Sequence, residues 1–348
     1  MIYAKPGVVR RHVLVTGANG FVGGNVVRAL LARGDEVRCL VRQTSSTDCL
    51  DGLPVELVYG DVTDFASLRN AVRGMDQVYH LAGRTAALAV AEYYRVNTQG
   101  MANMARACAA MTSPPVLVVV SSLAAAGPGR NGSPRVESEP AHPISQYGRS
   151  KRAGEAALHY FAGVVPITVI RPPIVFGPHD KASLPLFRTI GQFRTAMIPG
   201  IQRVQYSLIH ADDLARLMCL AAERGQRLSP LDTNGHGRGQ GYYFAAGEVD
   251  PSYEQFVQWI GQSMGCRRVL AIPTASFLVW VVGGLAELAG RFTGRAPYLT
   301  LDKVREMLAG SWICSPEKAV RTLGFSVAAA LPQRFQETAG WYRSQGWM

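Results

Sequence analysis

Several features that mark other classes of protein are missing from this sequence of 348 residues. None of its six cysteines forms a C-x-x-C pair and no H-E-x-x-H motif occurs among its seven histidines, so neither a metal site nor thiol chemistry is predicted. The first residues contain no long apolar core of the kind found in signal peptides. Together with the unpaired cysteines, this predicts a cytoplasmic protein with reduced thiols.

Lysine is scarce, since 31 of the 36 basic residues are arginines, and the formal net charge is +11. The basic residues are scattered and do not form runs, so nucleic acid is not an expected partner. The excess of arginine reflects either a coding bias or attraction to an acidic partner, such as a phosphorylated cofactor or an anionic membrane surface.

Long hydrophobic runs are absent as well. The longest apolar stretch, residues 275–289, has 15 residues, fewer than the ~20 needed to span a bilayer. Arg291 and Arg295 follow it. The simpler interpretation is a helix buried against the rest of the protein. The alternative is an interfacial helix over 275–295 that makes peripheral contact with an anionic membrane.

The first half of the chain alternates short apolar runs with helical patterns. This alternation predicts an α/β fold with a Rossmann-type, doubly wound parallel sheet. The predicted strands are 13–15, 37–41, 55–58, 77–81, 116–120 and 167–170, with helices over 21–32, 64–72 and 93–110 between them.

After residue 177 the alternation stops. We expect a dinucleotide-binding domain over 1–177 plus about 206–249. A smaller, discontinuous and mainly helical lobe would comprise about 178–205 plus 250–348. Such a lobe would cover the carboxyl ends of the strands, where open α/β sheets bind small-molecule substrates. The Gly- and Arg-rich stretch 234–241 is predicted to be a loop.

A glycine-rich turn, T-G-x-x-G-x-x-G, joins the first predicted strand to the first helix over residues 16–23. Gly17 permits the tight turn, Gly20 lets the backbone approach a pyrophosphate, and Gly23 allows close packing of helix on strand. The pyrophosphate would lie against the positive end of the helix. This pattern predicts a dinucleotide cofactor.

Tyr147 and Lys151 stand four residues apart, on one face of a predicted helix. A free tyrosine has a pKa of ~10, but a positive charge at ~4 Å contributes ~4 kcal/mol at an effective dielectric constant of ~20. Lys151 and an oxidised nicotinamide could therefore make Tyr147 a general acid/base. A serine at the end of the fifth strand, Ser121 or Ser122, would hold the substrate oxygen.

These motifs resemble those of the extended short-chain dehydrogenases of the NAD-dependent epimerase/dehydratase superfamily. Matching segments occur in the family's order: 16–23, G-D-V at 60–62, H-L-A-G at 80–83, Y-x-x-x-K at 147–151 and R-P-P-I-V-F-G-P at 171–178. The resemblance covers roughly residues 12–215 and is closest to the 3β-hydroxysteroid dehydrogenase and dihydroflavonol reductase branch. The C-terminal third is similar only loosely.

The resemblance implies an NAD(P)(H)-dependent enzyme that interconverts a secondary alcohol and a ketone, with Ser122, Tyr147 and Lys151 as catalytic residues. It selects Ser122 because family members place this serine five residues before a glycine, here Gly127. It also implies a homodimer and a structural role for Asn97. The implied cofactor-binding residues are Gly17, Asn19, Gly20, Phe21, Val22, Arg42, Asp61, Val62, Leu81, Ala82, Gly83, Tyr147, Lys151, Pro172 and Ile174.

Two of these assignments have alternatives. Asp61 would receive the adenine amino group, or it would merely cap the following helix. Arg42 ends the second strand, where an acidic residue would bind the ribose of NAD. No Asp or Glu occurs over 40–44, and an arginine can pair with a 2′-phosphate. NADP(H) is therefore favoured, NAD(H) is the alternative, and a solvated Arg42 is the simpler interpretation of that residue.

Two other functions compete with alcohol–ketone chemistry. Nucleotide-sugar epimerases and dehydratases with tightly held NAD share every motif above. They usually carry an arginine four residues before the position of His210, and Tyr206 stands there instead. This departure favours an apolar, sterol- or lipid-like substrate. A non-catalytic dinucleotide-binding protein would typically lack the Tyr147–Lys151 pair. Asp212-Asp213 is predicted to cap a helix and dock the smaller lobe.

Overall fold

The computed structural model describes residues 10–129, 132–200, 203–230, 239–294, 296–297 and 299–348. Most of the predicted loop 234–241, as well as Arg295, lies outside the described residues. The strands are β1 (His12–Thr16), β2 (Glu36–Val41), β3 (Val55–Tyr59), β4 (Gln77–His80), β5 (Val116–Val120), β6 (Ile167–Arg171), β7 (Ile174–Phe176), β8 (Thr195–Pro199), β9 (Leu208–His210), β10 (Tyr242–Phe244) and β11 (Leu270–Thr274).

Seven strands form a parallel sheet in the order β10-β6-β5-β4-β1-β2-β3. The helices are α1 (Phe21–Ala32), α2 (Phe65–Val72), α3 (Val90–Tyr93), α4 (Gly100–Ala109), α5 (Leu123–Ala126), α6 (Gln146–Leu158), α7 (Leu184–Phe193), α8 (Ala211–Arg224), α9 (Tyr253–Ser263), α10 (Ser276–Thr293), α11 (Leu301–Met307), α12 (Glu317–Leu323) and α13 (Leu331–Ser344). The predicted Rossmann-type fold is thereby confirmed.

Both faces of the sheet are buried, as expected for parallel strands joined by helical crossovers. Helices α1, α8 and α12 contribute to the apolar cluster on one face, and α2, α4 and α6 contribute to the cluster on the other. Because neither face of the sheet is polar, apolar residues do not alternate with polar ones along these strands. The sequence predicts the strands from their short length and their glycine-rich ends instead.

The segment predicted as one helix over 93–110 contains a π-helical stretch, Tyr94–Gln99, between α3 and α4. Asn97, within this stretch, is fully buried and its amide bonds both backbone groups of Arg84. Hydrophobic periodicity does not distinguish this wider turn from an α-helix, and such turns occur often at functional sites.

The C-terminal part adds two small parallel ribbons, β7–β9 and β8–β11. The expectation of a mainly helical lobe over about 178–205 plus 250–348 therefore missed β8 and its partner β11. Each of these strands contains a proline, Pro199 or Pro273, which usually argues against a strand. Helices α7, α9 and α13 pack around Phe187 and Phe335. The domain boundaries given above stay a prediction.

The apolar segment near residue 280 differs from its simpler interpretation. It forms the 18-residue helix α10, of which only 17% is buried. By length and composition this helix could cross a membrane: 18 residues rise about 27 Å, against a hydrocarbon core of about 30 Å. The expectation of a helix buried against the sheet domain is wrong, because periodicity does not tell a buried apolar helix from an exposed one.

Candidate active site

The first strand ends in the predicted glycine turn. Gly17 has a φ of +67°, and a Cβ there would lie 2.9 Å from the backbone nitrogen of Ala82. A Cβ on Gly23 would overlap the Gly17 carbonyl oxygen. Helix α1 follows Gly20 with no side-chain cap and no acidic residue in its first turn. Its first N–H groups are thus available to a phosphate, and the turn fits a dinucleotide.

The other predicted cofactor residues collect at the carboxyl ends of the parallel strands. Asn19 donates a hydrogen bond of 3.1 Å to the Ser46 carbonyl, which ties the glycine turn to the loop after β2. Ile174 begins β7 and is 39% exposed. The remaining positions follow strand ends or open α1: Phe21, Val22, Val62, Leu81, Ala82, Gly83 and Pro172. One edge of the sheet therefore carries the whole predicted cofactor set.

Arg42 is exposed immediately after β2. Burial raises the pKa of Asp61, but hydrogen bonds from Thr63 and the charges of Arg42 and Arg95 outweigh it, so this pKa is lowered. The backbone and hydroxyl of Thr63 both donate to Asp61 Oδ1, at 2.8 Å. The alternative of Asp61 as a helix cap is wrong, because Asp64 caps α2.

Tyr147 is the second residue of α6, and Ser122 is the N-cap of α5. The Ser122 hydroxyl accepts a hydrogen bond of 3.1 Å from the Ala124 nitrogen, and the interaction of Ser122 with the Tyr147 phenol lowers the pKa of Tyr147. Ser121 is buried, 3% exposed, and lies instead beside Glu155. Of the two candidate serines, the geometry favours Ser122.

Lys151 is 3% exposed, and its Nζ donates a hydrogen bond of 3.0 Å to the Val120 carbonyl at the end of β5. A Cβ on Gly83 would lie 2.8 Å from the same Nζ. Burial lowers the pKa of Lys151 to about 8, and Glu155 opposes the shift. Lys151 therefore lies between two strand ends, on the predicted cofactor edge.

The electrostatics of Tyr147 differ from the expectation. The pKa of Tyr147 is raised to about 12, mainly by burial. The interaction with Ser122 lowers this pKa, the charge of Glu306 raises it and the charge of Lys303 lowers it. Lys303 of α11 is the cation among the main causes of this pKa, whereas the sequence pointed to Lys151. Because Lys303 lies more than 150 residues after Tyr147 in the chain, no local motif indicates its effect on the tyrosine.

Two fully buried residues, Asn97 and His80, support the site through hydrogen bonds. Asn97 also donates a hydrogen bond of 2.9 Å to the Ser150 hydroxyl of α6, as its predicted structural role requires. His80 pairs with the Thr16 hydroxyl at 2.9 Å. Burial and the charge of Lys151 lower the pKa of His80 to about 3, so it is neutral.

Helix α11 brings three charged residues to the amino end of α6, and the sequence analysis missed all of them. Asp302 accepts hydrogen bonds from the first two N–H groups of α6, and Glu306 accepts one from Ser145. Lys303 binds the other oxygen of Glu306 at 2.8 Å. Charges at helical spacing ordinarily indicate a solvated face, so no motif marked them.

An apolar wall adjoins Tyr147. It includes Leu123, Phe244, Tyr206 and Trp312, all at least 92% buried, and Tyr147 packs against it. Burial raises the pKa of Tyr206 to about 12. Tyr206, which stands where nucleotide-sugar epimerases and dehydratases usually carry an arginine, is therefore neutral and part of a buried apolar cluster.

The Asp212-Asp213 pair lies in the first turn of α8. His210 is the N-cap of this helix, and its ring accepts from the Asp212 nitrogen at 3.3 Å. Asp213 binds Arg334 of α13 at 2.9 Å and accepts from the Ala328 nitrogen. Asp213 thus connects α13 to α8. The prediction that the aspartate pair caps the helix is wrong, because His210 occupies the N-cap position.

Taken together, the fold and the glycine turn fit a dinucleotide-binding oxidoreductase. The model of the NAD dependent epimerase/dehydratase family matches residues 13–234. The chain belongs to this family, as an extended short-chain dehydrogenase/reductase enzyme of the 3β-hydroxysteroid dehydrogenase-like branch.

Two curated relatives align along nearly the whole chain. The ceramide reductase of Caulobacter vibrioides is 30% identical, covering 97% of this chain and 96% of the relative. The sterol demethylase protein B of Methylococcus capsulatus is also 30% identical, covering 96% and 98%. Among solved structures, gox2253 has a TM-score of 0.75 at 25% identity, covering 97% of this chain and 100% of that one. A UDP-glucose 4-epimerase of Thermotoga maritima shares the fold, with a TM-score of 0.74 at 18% identity and coverage of 96% and 99%.

Proposed function

We propose that this protein is an NADP(H)-dependent oxidoreductase that interconverts a secondary alcohol and a ketone on an apolar, lipid-like substrate. The observation that carries the proposal is the position of the Ser122–Tyr147 hydroxyl pair directly beside the wall of Leu123, Tyr206 and Trp312. A carbonyl bound by the two hydroxyls would place its hydrocarbon neighbours against that wall, where their burial is favourable.

The residues divide the chemistry as follows. When bound, a nicotinamide cofactor would supply or accept the hydride. Ser122 and Tyr147 hydrogen-bond the substrate oxygen, and Tyr147 gives its proton to that oxygen during ketone reduction. Lys151, held by the Val120 carbonyl, would bind the nicotinamide ribose and, together with Lys303, would stabilise the phenolate left behind.

The preference for NADP(H) rests on Arg42. This side chain is exposed after β2, where a 2′-phosphate attached to the adenine ribose would lie, and no acidic residue stands over 40–44 to repel that phosphate. NAD(H) use stays the alternative.

The apolar substrate is supported by two observations. A nucleotide-sugar diphosphate would have to bind near Tyr206, which offers a neutral and buried side chain in place of a cation. The names of relatives, among them a ceramide reductase and a sterol demethylase protein, also point to lipids.

A peripheral membrane contact is part of the proposal. More than half of the large apolar side chains that are exposed in the described residues belong to α7, β8, β11 and α10. Arg194 and Arg268 are exposed just before the parallel strands β8 and β11, and Arg291 lies in the last turn of α10. An apolar surface edged by cations fits an anionic lipid leaflet. We place the protein on the cytoplasmic side and expect a homodimer.

The test is a side-by-side screen of NADPH- and NADH-linked turnover with long-chain β-keto compounds, sterol ketones and UDP- or GDP-sugars. We expect NADPH-linked reduction of a lipid ketone, lost in Tyr147→Phe while NADPH affinity stays within a few-fold, since the phenol acts only on the reacting oxygen. Turnover of a sugar nucleotide without lipid activity would replace the proposal with the epimerase alternative.

A further inference from the structure

The amino end of the catalytic helix α6 is held by a different part of the chain. The Asp302 carboxylate accepts a hydrogen bond of 2.7 Å from the Gln146 nitrogen and one of 3.1 Å from the Tyr147 nitrogen. These N–H groups open the helix and have no acceptor within it. Asp302 thus binds the backbone of the catalytic tyrosine itself.

Glu306, one turn further along α11, completes this arrangement. It is buried, and its Oε1 accepts a hydrogen bond of 2.5 Å from the Ser145 hydroxyl. That hydroxyl in turn accepts from the Gly148 nitrogen at 2.9 Å. The Glu306 carbonyl accepts the indole N–H of Trp312 at 2.8 Å. One helix therefore contacts both the catalytic helix and the apolar wall.

We propose that Asp302 is a positioning residue for Tyr147: it fixes the first turn of α6 so that the phenol meets Ser122 and the substrate oxygen in the reactive geometry. The inference rests on the proposed function, in which Tyr147 acts on the substrate oxygen. Helix α11 also contacts the apolar wall, because the Glu306 carbonyl binds Trp312. The helix that positions Tyr147 would therefore also lie beside the substrate.

The physical reason is the strength and location of these bonds. Hydrogen bonds to a carboxylate are shorter and stronger than neutral ones, and a negative charge at a helix amino end is favourable. Without the carboxylate, the N–H groups of Gln146 and Tyr147 lose their acceptors and the first turn loosens. A displacement of about 1 Å at a reacting group can cost about a hundredfold in rate.

Two substitutions grade the effect. Asp302→Asn keeps the shape but offers one acceptor oxygen for two N–H groups, and Asp302→Ala offers none. We expect kcat to fall by about tenfold or more in Asp302→Ala and by less in Asp302→Asn, with KM for NADPH and NADPH affinity within about twofold. Amide hydrogen exchange of the peptide that opens α6 should quicken in the same order.

The matched control is Asp76→Asn. Asp76 also accepts a backbone N–H, that of His12 at 2.8 Å, but at the opposite edge of the sheet. If kcat falls no more in the Asp302 variants than in the control, or falls only together with cofactor affinity, Asp302 is structural and the positioning role is refuted. Retained turnover in Tyr147→Phe is a separate result that refutes the proposed function and the positioning role with it.

Discussion

Two adjacent glycines of α10 face α11 in different surroundings, and this difference yields a sharp prediction. A Cβ on Gly283 would lie 2.5 Å from Val304 Cγ2, and Val304 is fully buried. A Cβ on Gly284 would meet only Leu301 Cδ2, at 3.8 Å, which is an ordinary contact. Gly283→Ala and Gly284→Ala therefore test the same chemical change in one helix.

The magnitudes follow from the two distances. Alanine is favoured over glycine within a helix by up to about 1 kcal/mol, which applies to both positions. At 284 nothing opposes this gain. At 283 the two helices must separate by about 1 Å to relieve the contact, and overpacking of this kind costs about 1–3 kcal/mol. We expect Gly284→Ala to raise the free energy of unfolding and Gly283→Ala to leave it unchanged or lower it.

The assay is thermal unfolding of both variants beside the wild type, followed by steady-state kinetics. A difference of about 2 kcal/mol corresponds to roughly 3 °C in Tm for a chain of this size. Because α11 carries Asp302, separation at Gly283 should also lower kcat, while Gly284→Ala should leave kcat unaltered. Equal Tm and equal kcat for the two variants would refute the reasoning, since it would mean that the α10–α11 spacing adapts without cost.

Three further predictions concern the cofactor, the acid–base group and the membrane. Arg42→Ala should weaken NADPH binding by roughly 1.5–3 kcal/mol, the scale of a charged hydrogen bond, and change NADH binding little. Equal losses of NADPH and NADH affinity would mean that Arg42 supports the fold and does not bind the phosphate. Ketone reduction needs a protonated tyrosine, so the alkaline limb of kcat should move to lower pH in Glu306→Gln, which removes a charge that raises the tyrosine pKa, and to higher pH in Lys303→Met. Shifts of the same sign would contradict this account. Trp280→Glu should weaken co-sedimentation with anionic liposomes, whereas Tyr160→Glu, at a 77% exposed site outside α10, should not. Equal liposome binding by the two variants would refute the proposed membrane contact.

The part of the site that lies at strand ends could be predicted from the sequence. Gly17, Arg42, Asp61, Gly83 and Ser122 each follow a strand of one parallel sheet. Since all these strands point the same way, their carboxyl ends meet at one edge, and a motif placed after each strand is placed in the site. Local sequence motifs are sufficient to predict these residues, because the parallel topology brings the strand ends together.

The contribution of α11 could not be predicted in this way. Ser145 and Glu306 are 161 residues apart in the chain, and Gln146 and Asp302 are 156 apart. Nothing within α11 distinguishes a carboxylate that caps a distant helix from one that faces water. Likewise, the apolar composition of α10 is the same whether its surroundings are protein or lipid, and only the packing shows that most of this helix is uncovered.

Two contacts connect the C-terminal helices to the rest of the chain, and they end at different places. Arg334 and Asp213 fasten α13 to the sheet through a buried ion pair, whereas α11 meets the catalytic helix through carboxylates bound to backbone N–H groups. The first contact joins α13 to α8. The second ends at the backbone of Tyr147, so a shift of α11 relative to α6 would displace that residue. Because α10 packs against α11 at Gly283 and most of its apolar surface is uncovered, a continuous series of contacts connects α10 to the first turn of α6.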